Sequence, residues 1–270
     1  MGVVNVTPDS FSDGGQWLEP EQAVAHGLEL VEQGADLVDI GGESTRPGAQ
    51  RPPVEEELRR VLPVVHRLSD AGAVVSIDTM RAEVAVAAVE AGAQLVNDVS
   101  GGLGDPAMLA TVADLEVPYV LMHWRGHSDR MQQRAEYADV VADVVSELRP
   151  RLEAALDAGI DSARVVLDPG LGFAKTAEHN WALLANLDAM HALGRPVLLA
   201  ASRKRFLGRL LGDADNTRDP SSLDAASAAV STLAAAAGVW CVRVHVVPAV
   251  VDAVRVVARL AAEPARPAAR

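Results

Sequence analysis

VEQGADLVDIGG (31–42) and VEAGAQLVNDVSGG (89–102) are two copies of one unit. Each is a helix end, then a glycine, then a short apolar run that finishes in polar residues or glycine. LDAGIDSARVVLDPG (156–170) and AAAAGVWCVRVH (234–245) repeat it. The glycine supplies the left-handed cap that stops a helix, and the aliphatic run reads as a buried strand. Extended along the chain, the pattern predicts strands at 1–5, 36–41, 74–78, 94–98, 118–123, 164–168, 197–201 and 239–245. Helical stretches fall between them, near 20–33, 54–71, 81–91, 106–115, 136–158, 177–192, 203–211 with 224–237, and 249–262. Crossovers of this length join parallel strands. The predicted class is α/β, a single (β/α)8 barrel over residues 1–262, with 263–270 as a frayed tail. A doubly wound open sheet is the rival, but no Gly-rich dinucleotide fingerprint follows the first strand.

Composition agrees. Of 270 residues 49% are hydrophobic but only 3% aromatic, so the core is aliphatic. With 37 acidic and 24 basic side chains the net charge is −13, which argues against nucleic acid or an anionic membrane as the main partner. Any bound anion must be gripped locally. Cys241 is the only cysteine, so no internal disulfide forms, which suits a reducing cytoplasm. No apolar run is long enough to span a bilayer and no leader pattern precedes the first strand. Met1 enters a strand at once, so a leading segment is expected to be missing.

Chemistry in such barrels sits at the carboxyl ends of the strands. Those ends carry Asn5; Gly41, Gly42 and Glu43; Asp78; Asn97 and Asp98; His123; Asp168; Ser202, Arg203 and Lys204; then Arg243 and His245. Some have ordinary structural readings. Asp78 and Asp98 could cap the next helix, and His123 could be a satisfied core histidine. His26, His66, His179 and His191 read as surface residues. Cys241, Arg243 and His245 share one strand face, and their aliphatic neighbours Val242 and Val244 share the other. Arg243 therefore points into the barrel and needs a counter-charge or an anionic ligand. SRKRF (202–206) stacks three cations where the helix dipole also favours an anion. With Arg243 and Arg46 this suggests a phosphate or carboxylate site. Asp78, Asn97 and Asp168 could bind a flat heterocycle through ring N–H and exocyclic NH2 groups. No metal-cage spacing is present, but a Mg2+ shared between Asn5 and substrate phosphates is plausible.

NVTPDSFSDGG (5–15), GGESTRPG (41–48), SIDT (76–79), NDVSGG (97–102), DPGLGFAK (168–175), SRKRF (202–206) and RVH (243–245) together resemble the dihydropteroate synthase family, its actinobacterial members above all. The match runs in the family's order from first strand to last. It implies condensation of 6-hydroxymethyl-7,8-dihydropterin pyrophosphate with p-aminobenzoate, with Mg2+, sulfonamide inhibition and a homodimer through the last helices. By resemblance, Asp78, Asn97, Asp168 and Lys204 bind the pterin. Asn5, Arg46, Arg243 and His245 take the pyrophosphate, with Asn5 also toward the metal. Thr45, Pro47, Phe173, Ser202 and Lys204 line the p-aminobenzoate pocket. Asp13 stabilises a cationic intermediate, with Arg46, Lys204, Arg243 and His245 also catalytic. Asp9 and Asp13 lie in the first loop, and Thr45, Arg46 and Pro47 in the second. Val246 stands where family members often have Asp. A corrinoid-linked pterin methyltransferase and a non-catalytic pterin-binding paralogue are the alternatives.

Overall fold

The structure is a computed structural model, which describes residues 1–7, 20–44, 49–127, 131–213 and 217–263. Its strands are β1 (Gly2–Asn5), β2 (Val38–Gly41), β3 (Val75–Asp78), β4 (Leu95–Asp98), β5 (Tyr119–Met122), β6 (Val165–Asp168), β7 (Leu198–Leu199) and β8 (Cys241–Val242). Between and after them lie α1 (Pro20–Glu32), α2 (Val54–Asp70), α3 (Ala82–Glu90), α4 (Met108–Leu115), α5 (Val140–Asp157), α6 (Ala177–Ala185), α7 (Leu187–His191), α8 (Arg205–Leu211), α9 (Asp224–Ala236) and α10 (Pro248–Ala261).

β1 to β6 pair in parallel, in chain order, and β7 pairs with β8. Two parallel bridges join these groups. Leu167 meets Val197, and Gly2 meets Val244. Backbone bonds Leu167 N→Pro196 O, Val3 N→Val244 O and Val244 N→Met1 O complete both seams. The sheet is thus a closed ring, the TIM barrel, and the open-sheet rival falls.

Strand alternation sorts the side chains. Val96, Tyr119, Leu121, Val165 and Leu167 join the helices in one large buried cluster. Leu95, Val120, Val166, Leu198 and Cys241 form a separate cluster containing no helical residue, the apolar floor inside the ring. Polar residues lie above that floor on the same inward face, and so are aimed at the carboxyl end.

The last two strands are shorter than the sequence predicts. Past Val242 the ladder thins to Arg243 N→Leu199 O and the Val244 bridge to β1, and at His245 the N–H turns to a side chain, Ser202 Oγ, at 3.2 Å. The fifth helix begins at Val140 rather than 136 because Asp139 caps it, accepting from the N–H groups of Val141 and Ala142. His179 is not simply a surface residue, since it closes a capping box with Thr176 at the start of α6.

Candidate active site

The inward polar residues converge on one that the sequence reading passed over. Asp39, within β2, is fully buried. Its Oδ1 accepts from Ser76 Oγ at 2.5 Å. Its Oδ2 accepts from Asn97 Nδ2 at 3.0 Å and from Arg243 Nε at 2.5 Å. The Arg243 guanidinium also donates through Nη2 to Asp78 Oδ2 at 2.9 Å. The inward arginine therefore has its counter-charge in Asp39 and a second acceptor in Asp78. The signal was present in VDIGG, where alternation sets Asp39 opposite the outward Val38 and Ile40.

Burial sets the ionisation of this belt. Burial, with Asp39, Glu43 and Glu57 nearby, outweighs Arg243 and pushes the Asp78 carboxyl up to about 8. Burial likewise raises Asp168 against the pull of Lys204. Burial brings Lys204 down to about 8, with Asp168 opposing the shift.

Asp78 makes stability depend on pH. An unfolded Asp loses its proton near 3.8, while the folded one keeps it to about 8. Within that window the folded chain holds the extra proton, so this group's contribution falls as pH rises and levels off above it. The stability advantage of wild type over Asp78→Asn is expected to shrink by up to about 1.4 kcal/mol per pH unit across that window. Urea unfolding of both chains from mildly acidic to mildly alkaline pH measures it. A constant difference means that Asp78 is ionised throughout.

Asp98 is a support, as its outward alternation with Asn97 requires. It accepts from Ser100 N, Ser100 Oγ, Gly102 N and Tyr119 Oη at 2.6–2.7 Å. The caps it makes are on its own turn, not on α4.

The loop after β6 carries Asp168 and Phe173. Asp168 Oδ1 accepts from Gly170 N at 2.7 Å, and Asn180 on α6 accepts from Gly172 N at 2.7 Å. Gly170 has φ +68°, and a Cβ there would lie 2.4 Å from the His123 carbonyl oxygen. Gly170→Ala is therefore expected to displace the loop and cost about 1–3 kcal/mol. Chemical denaturation checks the stability.

The three cations of 202–206 separate. Arg203 pairs with Asp224 on α9, at 2.7 and 3.0 Å, so this part of the expected conflict is resolved within the chain. Arg205 is exposed. Lys204 turns inward, its Nζ donating to Leu171 O and lying 4.8 Å from the centre of the Phe173 ring. Ser202 Oγ lies 3.0 Å from His245 Nδ1. Asn5 ends β1, half-buried. Met80, Val99 and Met122 form an apolar cluster with Trp124 and Phe173 packed on it. Asp9, Asp13, Thr45, Arg46 and Pro47 lie outside the described residues, as does 264–270 of the expected tail. Among the described residues no group of three or more His, Cys, Asp or Glu could hold a metal.

A family model described as "Pterin binding enzyme" matches residues 1–245. The dihydropteroate synthase of Mycobacterium leprae is 55% identical over 259 residues, covering 95% of this chain and 91% of that protein. The chain belongs to the dihydropteroate synthase family. Solved relatives agree with this membership. The Xanthomonas albilineans synthase with 4-aminobenzoic acid has 51% identity and a TM-score of 0.90, covering 97% of this chain and 93% of that one. The same enzyme in complex with 7,8-dihydropteroate has 48% identity and a TM-score of 0.86, over 97% and 93%. The Yersinia pestis synthase with a sulfonamide drug complex has 39% identity and a TM-score of 0.90, over 97% and 94%. Family membership accounts for an inward belt that mixes carboxylates, an amide and cations beside an apolar wall.

Proposed function

We propose that this chain is a C–N bond-forming transferase of folate biosynthesis. It condenses 6-hydroxymethyl-7,8-dihydropterin pyrophosphate with p-aminobenzoate to give 7,8-dihydropteroate and pyrophosphate. The observation that carries this reading is the belt of Asp78, Asn97 and Asp168 with Lys204 and Arg243, at the carboxyl end of a barrel whose relatives share the whole fold.

Asp168 offers its carboxylate to the amino and ring N–H edge of the pterin, and Asp78 and Asn97 complete that edge. A carboxylate on such an edge makes paired, charge-assisted bonds. The apolar cluster around Met122 and Phe173 suits the flat faces of the ring. Lys204 contacts the pterin from one side. Arg243 and His245, with Asn5 and the second-loop Arg46, take the pyrophosphate. Phe173 and Lys204, with Ser202, Thr45 and Pro47, bound the p-aminobenzoate.

The C–O bond to pyrophosphate breaks first, and the leaving group keeps the electron pair. Cationic donors stabilise the charge it gathers. The electron-rich dihydropterin spreads the positive charge left on the methylene, and Asp13 is the carboxylate proposed to stabilise it. The amine of p-aminobenzoate then forms the C–N bond, and its proton leaves to solvent or pyrophosphate. A weak aromatic amine needs positioning more than deprotonation. Asn5, through its side-chain amide oxygen, would be the residue to hold a Mg2+ that arrives with the substrate phosphates, and the ion would supply charge stabilisation to the leaving group.

The same pocket is where sulfonamides, as mimics of p-aminobenzoate, would bind. A homodimer through the last helices is supported by exposed Leu233 (71%) on α9 and by Val256 (60%) and Leu260 (68%) on α10. No helix of the described residues is long and apolar enough to cross a membrane. We place the protein in the cytoplasm, as one folded domain over 1–262.

Purified protein with Mg2+, the dihydropterin pyrophosphate and p-aminobenzoate is expected to form dihydropteroate. Pterin binding without product would favour the non-catalytic paralogue. Methyl transfer to a corrinoid protein would favour the methyltransferase.

A further inference from the structure

We propose that Lys175 is a positioning residue for the pterin anchor: it fixes the loop after β6 from below and places a cation under the Asp168–Gly170 turn. The proposal rests on the reaction assigned above.

Lys175 is 4% exposed, and the chemistry just described does not use it. Its loop leaves the barrel at Asp168 and returns at Lys175, passing through left-handed conformations at Gly170, Gly172 and the non-glycine Ala174 (φ +48°). Such a path persists only where its surroundings hold it. Lys175 is part of what holds it. Its Nζ donates to Phe173 O at 3.1 Å and lies 2.9 Å from His123 Nδ1. A Cβ placed on Gly170 would lie 3.4 Å from the same nitrogen, so the ammonium sits directly under the loop.

The far side is equally determined. His123 Nε2 is 3.0 Å from Glu147 Oε2 on α5. Nδ1 faces a donor and Nε2 faces an acceptor, so the ring is neutral with its proton on Nε2. Burial, reinforced by Lys175, holds His123 down at about 4, which agrees. Glu147 is also gripped by Arg125, whose guanidinium lies 3.7 Å over the Tyr137 ring. Tyr137 Oη in turn donates to Ala174 O at 3.0 Å. The chain Glu147–His123–Lys175 thus returns on itself through Arg125 and Tyr137 to the same loop.

Lys175 titrates at about 7, lowered by burial and partly restored by Asp168, so its charge responds to small changes near neutrality. The charged groups facing it are Asp168, Lys204, Arg125 and Glu147, with neutral His123 beside them. Those facing Asp168 are Lys204, Lys175 and Arg243. Removing Lys175 takes one cation of three from Asp168 and should raise the pH at which it loses its charge.

The test is the pH profile of kcat/KM for the pterin substrate, in wild type, Lys175→Met and the control Arg125→Met. Lys175→Met is expected to weaken pterin binding about tenfold and to move the acidic limb up by about one pH unit. Arg125→Met takes away a cation that faces Lys175 but not Asp168, so the limb should not move up. Asp78 also titrates in the site but is common to all three chains, so only the difference between profiles is read. A folded Lys175→Met whose whole profile is scaled down with the limb unmoved would make Lys175 mere packing and overturn the proposal. If that variant does not fold, Glu147→Gln carries the test. It withdraws the anion that supports the ammonium, so the limb should move the same way by a smaller amount. An unmoved limb there overturns the proposal too. Failure of the reaction assignment would show differently, as a wild type that forms no dihydropteroate at any pH.

Discussion

Asp168→Asn is expected to lower kcat/KM for the pterin substrate by about 10³-fold or more and to leave the fold intact. The asparagine carbonyl can still accept from Gly170 N, as Asp168 Oδ1 does, so the loop keeps its anchor. What is lost is charge and direction. An amide turns NH2 toward a ligand edge that is itself all donors, leaving buried groups facing one another unpaired. Sites built around a required hydrogen bond discriminate far more strongly than apolar pockets do. Stability should change little, because two effects oppose. Burial disfavours the carboxylate, so removing it is a relief, while Lys204, Lys175 and Arg243 lose an attractive charge. Product formation, pterin calorimetry and thermal melting give the three readouts. A loss of tenfold or less would mean that Asp168 does not hold the pterin.

Arg243→Met should damage both the reaction and the fold. It strips the cation from Asp39, which is fully buried, and from Asp78. Removing one partner of a buried ion pair costs about 3–5 kcal/mol, because a desolvated charge is left behind. Turnover should fall by a further 10²–10³-fold, roughly the effect of one missing donor to a developing anion. The two losses can be separated. Arg243→Met combined with Asp39→Asn should recover most of the stability and none of the turnover, a coupling that the double-mutant cycle reads directly. Recovery of both would make Arg243 a structural counter-ion only.

The barrel was legible because its signal is repeated. Each helix–glycine–strand unit is weak alone, but many in series leave few alternatives. Strand tips gave Asp78, Asn97, Asp168, Lys204 and Arg243 for the same reason, since period-two alternation fixes which side faces inward. Residues in the layer below were harder to see. Asp39 lies inside a strand rather than at its tip, and Glu147, Asn180 and Asp224 come from helices, where a polar residue looks like any solvated one. Their partners are 204, 24, 8 and 21 positions away, and no local pattern records such pairings. The anion expected to answer the cations of 202–206 is in part Asp224, which was invisible for that reason.

The seam between β1 and β8 has a consequence for how the molecule is made. The backbone of Met1 bonds Val242 and Val244, so the first strand waits for the last. Until residues near 244 leave the ribosome, β1 is an open edge with unpaired N–H and C=O groups, the kind of edge that recruits stray chains. Contacts this distant in sequence are also slow to form. The final strand carries Arg243 as well, so the step that removes the vulnerable edge is the step that neutralises Asp39. Nascent chains should therefore remain both sticky and inert until the residues of the last strand emerge, and then lose both properties together.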